Sequence, residues 1–191
     1  METILLASQS PRRKELIGLL PWPFEVCVKE VEEKIDLAQP AWENVRSLAL
    51  QKAQAVATSR PNEWVIGADT VVCYETHILG KPKNEKAAYE MLKMLSGKVH
   101  KVYTGVAIVH KKKGYTQTFY EETKVAMQEL TDEEINAYIL TKEPLDKAGA
   151  YGIQGFGARY IEGIEGDYFN VVGLPVHAIY KQLSNALKEN R

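Results

Sequence analysis

Asp69 stands inside a stretch that otherwise reads as a buried strand, with Trp64-Val65-Ile66-Gly67-Ala68 before it and Val71-Val72 after Thr70. A carboxylate there without a partner would cost on the order of several kcal/mol, so it calls for a metal, a cation or a hydrogen-bond donor. The chemistry this offers is that of a divalent-metal ligand or general base at a strand end or kink. The competing reading is a turn aspartate between two shorter strands broken at Gly67. Lys52 is placed just as oddly. On a helix whose apolar face carries Val45, Leu48, Ala49, Ala53 and Val56, it projects roughly 20° from Val45 at about 100° per residue. Such a lysine either snorkels to water or delivers its ammonium into a pocket.

Ser8, Ser10, Arg12 and Arg13 follow a strand-like run and open a helix. Two hydroxyls and two guanidiniums beside free helical N–H groups suit an anion with several oxygens, such as a polyphosphate. An ordinary capped helix with surface arginines is the alternative. Lys81, in Gly80-Lys81-Pro82, and the acidic loop Glu30, Glu32, Glu33 are weaker signals whose plain reading is solvation. One of those glutamates could join Asp69 on a hard cation, since Mg²⁺ at a nucleotide site takes one or two carboxylates plus phosphate oxygens and water. The stretch Gly149–Gly157 brings backbone close either to a flat ligand or to itself in a tight turn, and Gln154 within it offers both donor and acceptor to a base edge. No G-x-x-x-x-G-K-[ST] occurs, which disfavours a P-loop NTPase. The four histidines show no ligand spacing, and no Ser/His/Asp or Cys/His nucleophile arrangement stands out.

The elements that must position these residues are legible in outline. A strand over Ile4–Ala7 leads to Ser10 as N-cap and Pro11 at the first helical position, with the helix expected to reach about Leu20. Phe24–Val28 reads as a strand, Lys29–Asp36 as a loop, and Pro40 starts a helix to about Ser59. Trp64–Tyr74 is β-rich, Asn84 caps a helix through Leu95, and Val99–Val109 and Tyr115–Met127 flank an exposed tip at Lys111–Gly114. Thr131 with Glu134 is a capping box for a helix to about Thr141; a strand near Arg159–Ile164 and a helix from Pro175 complete the chain. Alternating strands and helices followed by a hairpin predict an α/β fold with a mixed sheet and two lobes around a cleft.

The chain has 191 residues, 45% hydrophobic and 26% charged, which excludes wholesale disorder. We expect one domain over residues 1–191, with no linker or repeat dividing it. Lys+Arg 24 against Asp+Glu 25 leaves a net charge of −1, which argues against nucleic-acid or anionic-membrane partners. No apolar run approaches the roughly 18 residues of a spanning helix, and the first residues lack a signal-peptide layout. Cys27 and Cys73 are isolated, sit in apolar strand-like segments and read as reduced core residues of a cytoplasmic protein.

Six blocks in order along the chain resemble the Maf family of nucleoside triphosphate pyrophosphatases. They are Leu6-Ala7-Ser8-Gln9-Ser10-Pro11-Arg12-Arg13, Gln51-Lys52-Ala53, Gly67-Ala68-Asp69-Thr70, Leu79-Gly80-Lys81-Pro82, Asp146–Gly155 and Asn170-Val171-Val172-Gly173-Leu174-Pro175. The resemblance is to the dTTP/UTP-type enzymes, in a family often named for septum formation, and implies a Maf/ITPase-like fold. It makes Asp69 the catalytic proton acceptor, assigns specificity to Arg12, Thr70 and Gln154, and groups Ser8, Arg13, Glu33, Lys52 and Lys81 around phosphates and metal. It selects Glu33 over Glu32. Relatives often carry a glycine in the hairpin where this chain has Glu75-Thr76-His77. The implied reaction is hydrolysis of the triphosphate to monophosphate and pyrophosphate with Mg²⁺ or Mn²⁺, by a homodimer. Two alternatives stand beside it: the same reaction on inosine, xanthosine or other non-standard nucleotides, and a non-catalytic nucleotide-binding regulator of septum formation.

Overall fold

The computed structural model describes residues 2–190. In chain order the strands are β1 (Ile4–Leu6), β2 (Phe24–Val26), β3 (Trp64–Tyr74), β4 (His77–Leu79), β5 (Val99–His110), β6 (Tyr115–Met127) and β7 (Ile161–Glu165). The helices are α1 (Pro11–Ile17), α2 (Ala41–Ser59), α3 (Glu85–Leu95), α4 (Asp132–Leu140), α5 (Tyr168–Val172) and α6 (Val176–Glu189). One sheet of seven strands runs β2-β1-β3-β5-β6-β7, with β4 on β3. It is mixed: β1 pairs parallel with β2 and β3, whereas β3–β4 and β6–β7 are antiparallel. The expected α/β class and mixed sheet are therefore present.

Several boundaries move, each for a local reason. Helix α1 stops at Ile17, with Gly18 at its C-cap and Pro21 and Pro23 following, neither of which can continue a helix. Asp69 neither ends nor kinks its strand: β3 is continuous over 11 residues. Residues Gly155–Tyr160 form a 3₁₀ turn, so β7 begins only at Ile161, and the short α5 was not legible beforehand. The caps fall where expected. Asn84 Oδ1 accepts from Ala87 N at 2.9 Å, and Thr131 and Glu134 exchange both bonds of a capping box.

The chain divides into two compact units, to which β3, β5 and β6 each contribute residues. The first comprises residues up to Asp69, Thr104–Glu121, and Gly173 onward. Its core is made of small side chains: Ala49, Ala53 and Ala57 on one face of α2 meet Leu5, Val65, Ala107 and Val109 of the sheet. Two glycines make that approach possible. A Cβ on Gly67 would lie 2.2 Å from the Ala49 carbonyl oxygen, and one on Gly105 would lie 2.3 Å from the Val45 carbonyl. Gly67 is thus a contact point between strand and helix, not a break in the strand.

The second unit, Thr70–Tyr103 and Glu122–Val172, has larger core residues. Leu92 and Leu95 of α3 and Ile135, Tyr138 and Ile139 of α4 pack with Val102, Val125, Met127 and Tyr151. Burying each such side chain contributes roughly 1.5–3 kcal/mol before entropy is subtracted. Cys27 and Cys73, expected in the core, are both free thiols but only half-buried, outside the fully buried core.

Candidate active site

In the first unit the close packing of α2 on β3 carries Lys52 to Asp69. The ammonium donates to Asp69 Oδ1 at 2.6 Å and lies 2.9 Å from Glu33 Oε1. Lys52 and Asp69 are 14% and 11% exposed in their side chains, whereas Glu33 is 54% exposed. Lysine and aspartate are therefore a largely desolvated pair, with the more exposed Glu33 as the second carboxylate on the ammonium. Of the alternatives open for Lys52, the structure shows the ammonium directed inward. It separates the two glutamates as well: Glu33 faces Lys52, while Glu32 pairs with Lys34 at the surface.

Arg13 occupies the same neighbourhood. Its Nε donates to Gly173 O at 2.7 Å, and its Nη1 donates to Ala68 O at 3.0 Å and to Ser8 Oγ at 3.3 Å. The planar guanidinium ties the backbone just before Asp69 to the start of the C-terminal segment, a geometry that lysine cannot reproduce. Burial draws Arg13 below its ordinary value, Asp69 opposes that, Arg12 adds to it and Glu33 opposes it. Ser8 Oγ also accepts from Ser10 N at 3.2 Å, and Ser10 Oγ caps α1 by accepting from Arg13 N at 3.4 Å. Both hydroxyls keep a proton to donate. Arg12 is half-buried on the first turn of α1.

The second unit carries Thr70, exposed Lys81 and half-buried Gln154 on elements that meet at Gly149. Gly149 N donates to Gly80 O at 3.1 Å, beside Lys81, and a Cβ at Gly149 would lie 2.8 Å from Val72 Cγ2, two residues beyond Thr70. Gly149 and Ala150 both have positive φ, 68° and 61°, so the chain bends sharply there. The glycines bring backbone close to the protein itself: Gly149 to Val72, Gly152 to Lys147, Gly155 to Glu143 and Gly157 to Tyr138. Of the two readings of this stretch, the tight turn is the one the geometry displays. Tyr151 OH lies 2.7 Å from buried His100 Nε2, and burial lowers the His100 pKa to about 4, so the ring is neutral at pH 7.

Sequence reasoning missed His100, Tyr138 and Glu143, none of which stands in a recognisable pattern. The glycines inside β3 and β5 were readable signals of close backbone approach. Among the described residues no group of three or more His, Cys, Asp or Glu could hold a metal. What the protein offers a hard cation is the pair Asp69 and Glu33, converging on one point of positive charge. Nor is any helix among the described residues long and apolar enough to cross a membrane.

Known proteins are similar to this chain in sequence or in fold. A protein of Bacillus cereus strain G9842 named dTTP/UTP pyrophosphatase is 57% identical over 183 residues, covering 96% of this chain and 95% of the relative. One of the same name from Bacillus thuringiensis subsp. konkukian strain 97-27 is also 57% identical over 96% of the chain and 95% of its own length. Among solved structures, a HAM1 protein from Coxiella burnetii superposes with a TM-score of 0.55 at 17% identity, covering 99% of this chain and 100% of that one. The Staphylococcus aureus Ham1 protein gives 0.51 at 17% identity over 84% and 80%. At that identity the likeness speaks of fold alone. The family model described as Maf-like protein matches residues 3–186, and with relatives this similar over nearly the whole length, the chain belongs to the Maf family.

Proposed function

We propose that this protein is a nucleoside triphosphate pyrophosphatase acting on dTTP and UTP, and possessing the chemistry to accept modified pyrimidine nucleotides. The observation that carries the mechanism is the Lys52 ammonium held between Asp69 and Glu33. The relatives named dTTP/UTP pyrophosphatase support the substrate. In the reaction a water oxygen bonds to the α-phosphorus and the bond from that phosphorus to the α,β-bridging oxygen breaks. Nucleoside monophosphate and pyrophosphate leave.

Asp69 takes the water's proton. Its Oδ1 is engaged by Lys52, which leaves Oδ2 as the accepting atom, and general-base help of this kind is worth roughly 10²–10⁴-fold. Lys52, Lys81 and Arg12 stabilise charge on the departing pyrophosphate, and Ser8 and Ser10 donate to phosphate oxygens. Arg13 holds the Ala68 carbonyl and so fixes the strand that presents Asp69. Thr70 and Gln154 meet the O4/N3–H edge shared by thymine and uracil.

The donor chemistry of Asp69 and Glu33, two hard carboxylate oxygens already gathered around one cation, fits Mg²⁺ or Mn²⁺ with substrate phosphate and water as the other ligands. Bound there, the metal supplies charge neutralisation on the phosphates and a water of lowered pKa. We further propose that the two units work as one domain over residues 1–191, in the cytoplasm and as a homodimer. The family resemblance supports the dimer, and the net charge of −1 supports the lack of nucleic-acid or membrane partners.

The test is pyrophosphate release from the eight common ribo- and deoxyribonucleoside triphosphates with Mg²⁺, Mn²⁺ or EDTA. Release strongest on dTTP and UTP and abolished by EDTA is expected. Release favouring purines would discard the base assignment. Folded protein without any release would overturn the enzyme reading.

A further inference from the structure

We propose that Glu143 is a positioning residue for base selection, fixing the backbone on both sides of Gln154 so that its amide meets the base in one geometry. This rests on the reading of Gln154 as a base-selecting residue. Glu143 opens a 3₁₀ turn after α4. Its Oε1 accepts from the Tyr138 hydroxyl at 2.7 Å and from Gly157 N at 3.0 Å, and its Oε2 accepts from Phe156 N at 2.8 Å. The Tyr138 hydroxyl in turn accepts from Gly152 N at 3.1 Å. One carboxylate and one phenol thus hold backbone N–H groups on either side of Gln154.

The glycines of the turn are shaped to this pair. Gly155 has φ 76°, and a Cβ there would lie 2.5 Å from Glu143 Oε2. A Cβ at Gly157 would lie 2.5 Å from the Tyr138 hydroxyl oxygen. Burial alone would raise the Glu143 carboxyl, but the bonds from Tyr138, Phe156 and Gly157 outweigh it and hold the group low, so it is an anion at neutral pH. Backbone amides on a carboxylate are charge-assisted bonds, roughly twice as strong as neutral ones.

The reason selection needs such a device lies in glutamine itself. A free side-chain amide satisfies the uracil edge or the cytosine edge by turning over. Discrimination therefore depends on the backbone from which the side chain projects being held still. Loosening the turn should cost base discrimination while leaving Asp69 and Lys52 untouched.

The experiment compares wild type with Glu143→Gln and Tyr138→Phe, measuring kcat and KM for UTP and CTP alongside thermal melting. Glu143→Gln keeps the shape and one acceptor oxygen but turns an NH₂ toward Phe156 N–H. Tyr138→Phe removes the hydroxyl that links Glu143 to Gly152. Losing one charge-assisted bond predicts a rise of about tenfold in KM for UTP and a narrowing of about tenfold in the UTP/CTP ratio of kcat/KM, with kcat within about threefold. Tyr138→Phe should move both quantities in the same direction, and it carries the test if Glu143→Gln fails to fold. Wild-type KM and ratio in the folded variants would overturn this proposal alone. So would equal losses on both nucleotides that track a fall in melting temperature. Wild-type enzyme showing no preference for UTP over CTP would overturn it together with the Gln154 reading.

Discussion

The Lys52 ammonium lies 2.6 Å from Asp69 Oδ1 although the two residues belong to different elements, helix α2 and strand β3. It is the cation that makes a carboxylate tolerable in a strand of buried apolar residues, and in the reaction proposed above the same pairing would hold the carboxylate that activates water.

Asp69→Asn should leave the fold intact and reduce pyrophosphate release from UTP by at least about 10²-fold, the usual worth of a general base. Steady-state rates with a circular-dichroism spectrum check this. A variant that retains near-wild-type turnover sinks the assignment.

Lys52→Met takes the cation away and leaves Asp69 facing Glu33. Removing one partner of a largely buried pair is costly, on the order of a few kcal/mol. Melting temperature should fall in metal-free buffer, and added Mg²⁺ or Mn²⁺ should recover part of the loss. The wild-type protein should also melt higher with metal, a gain that Glu33→Gln diminishes. Equal metal shifts in wild type and Glu33→Gln would count against Glu33 as a ligand.

Gly67→Ala places a methyl group 2.2 Å from the Ala49 carbonyl oxygen, so α2 must move off β3. Overpacking of this kind costs about 1–3 kcal/mol. Because the same contact brings Lys52 to Asp69, turnover should drop along with the urea midpoint. Unchanged turnover would separate the helix approach from the catalytic geometry.

Arg13→Lys loses the fork that binds Gly173 O, Ala68 O and Ser8 Oγ together. Hydrogen bonds to a charged group are worth about 1.5–3 kcal/mol each, and one ammonium cannot remake all three. Both melting temperature and kcat should fall. A neutral outcome would show that the charge alone matters there.

His100 predicts a pH effect whose sign follows from burial. Its folded pKa is about 4, below the ordinary 6.5, so the unfolded chain binds the proton more readily. Stability is therefore full above pH 6.5 and is lost as pH falls from 6.5 towards 4, by up to about 3 kcal/mol. His100→Gln can still bond Tyr151, and it should flatten the dependence of unfolding free energy between pH 7 and 5. An unchanged slope would assign the acid sensitivity to other groups.

Asp69 and Lys52 could be picked out of the sequence because each breaks an apolar pattern, and a charge in an apolar pattern must find a partner. The caps at Ser10, Asn84 and Thr131 were equally legible, since capping is a local bond between residues two or three apart. So was the mixed α/β class, from the alternation of elements. Tertiary structure decided the rest, because it concerns residues distant in sequence. Nothing local distinguishes Glu33 from Glu32; only the fold sets one against Lys52 and leaves the other with Lys34. Nothing local says that Gly67 is a seat for α2 and not a strand break, or that the glycines after Gly149 close upon Tyr138 and Glu143. Periodicity reports which side of an element is buried, whereas partner identity depends on how whole elements pack, and packing is what brings a helix lysine to a strand aspartate.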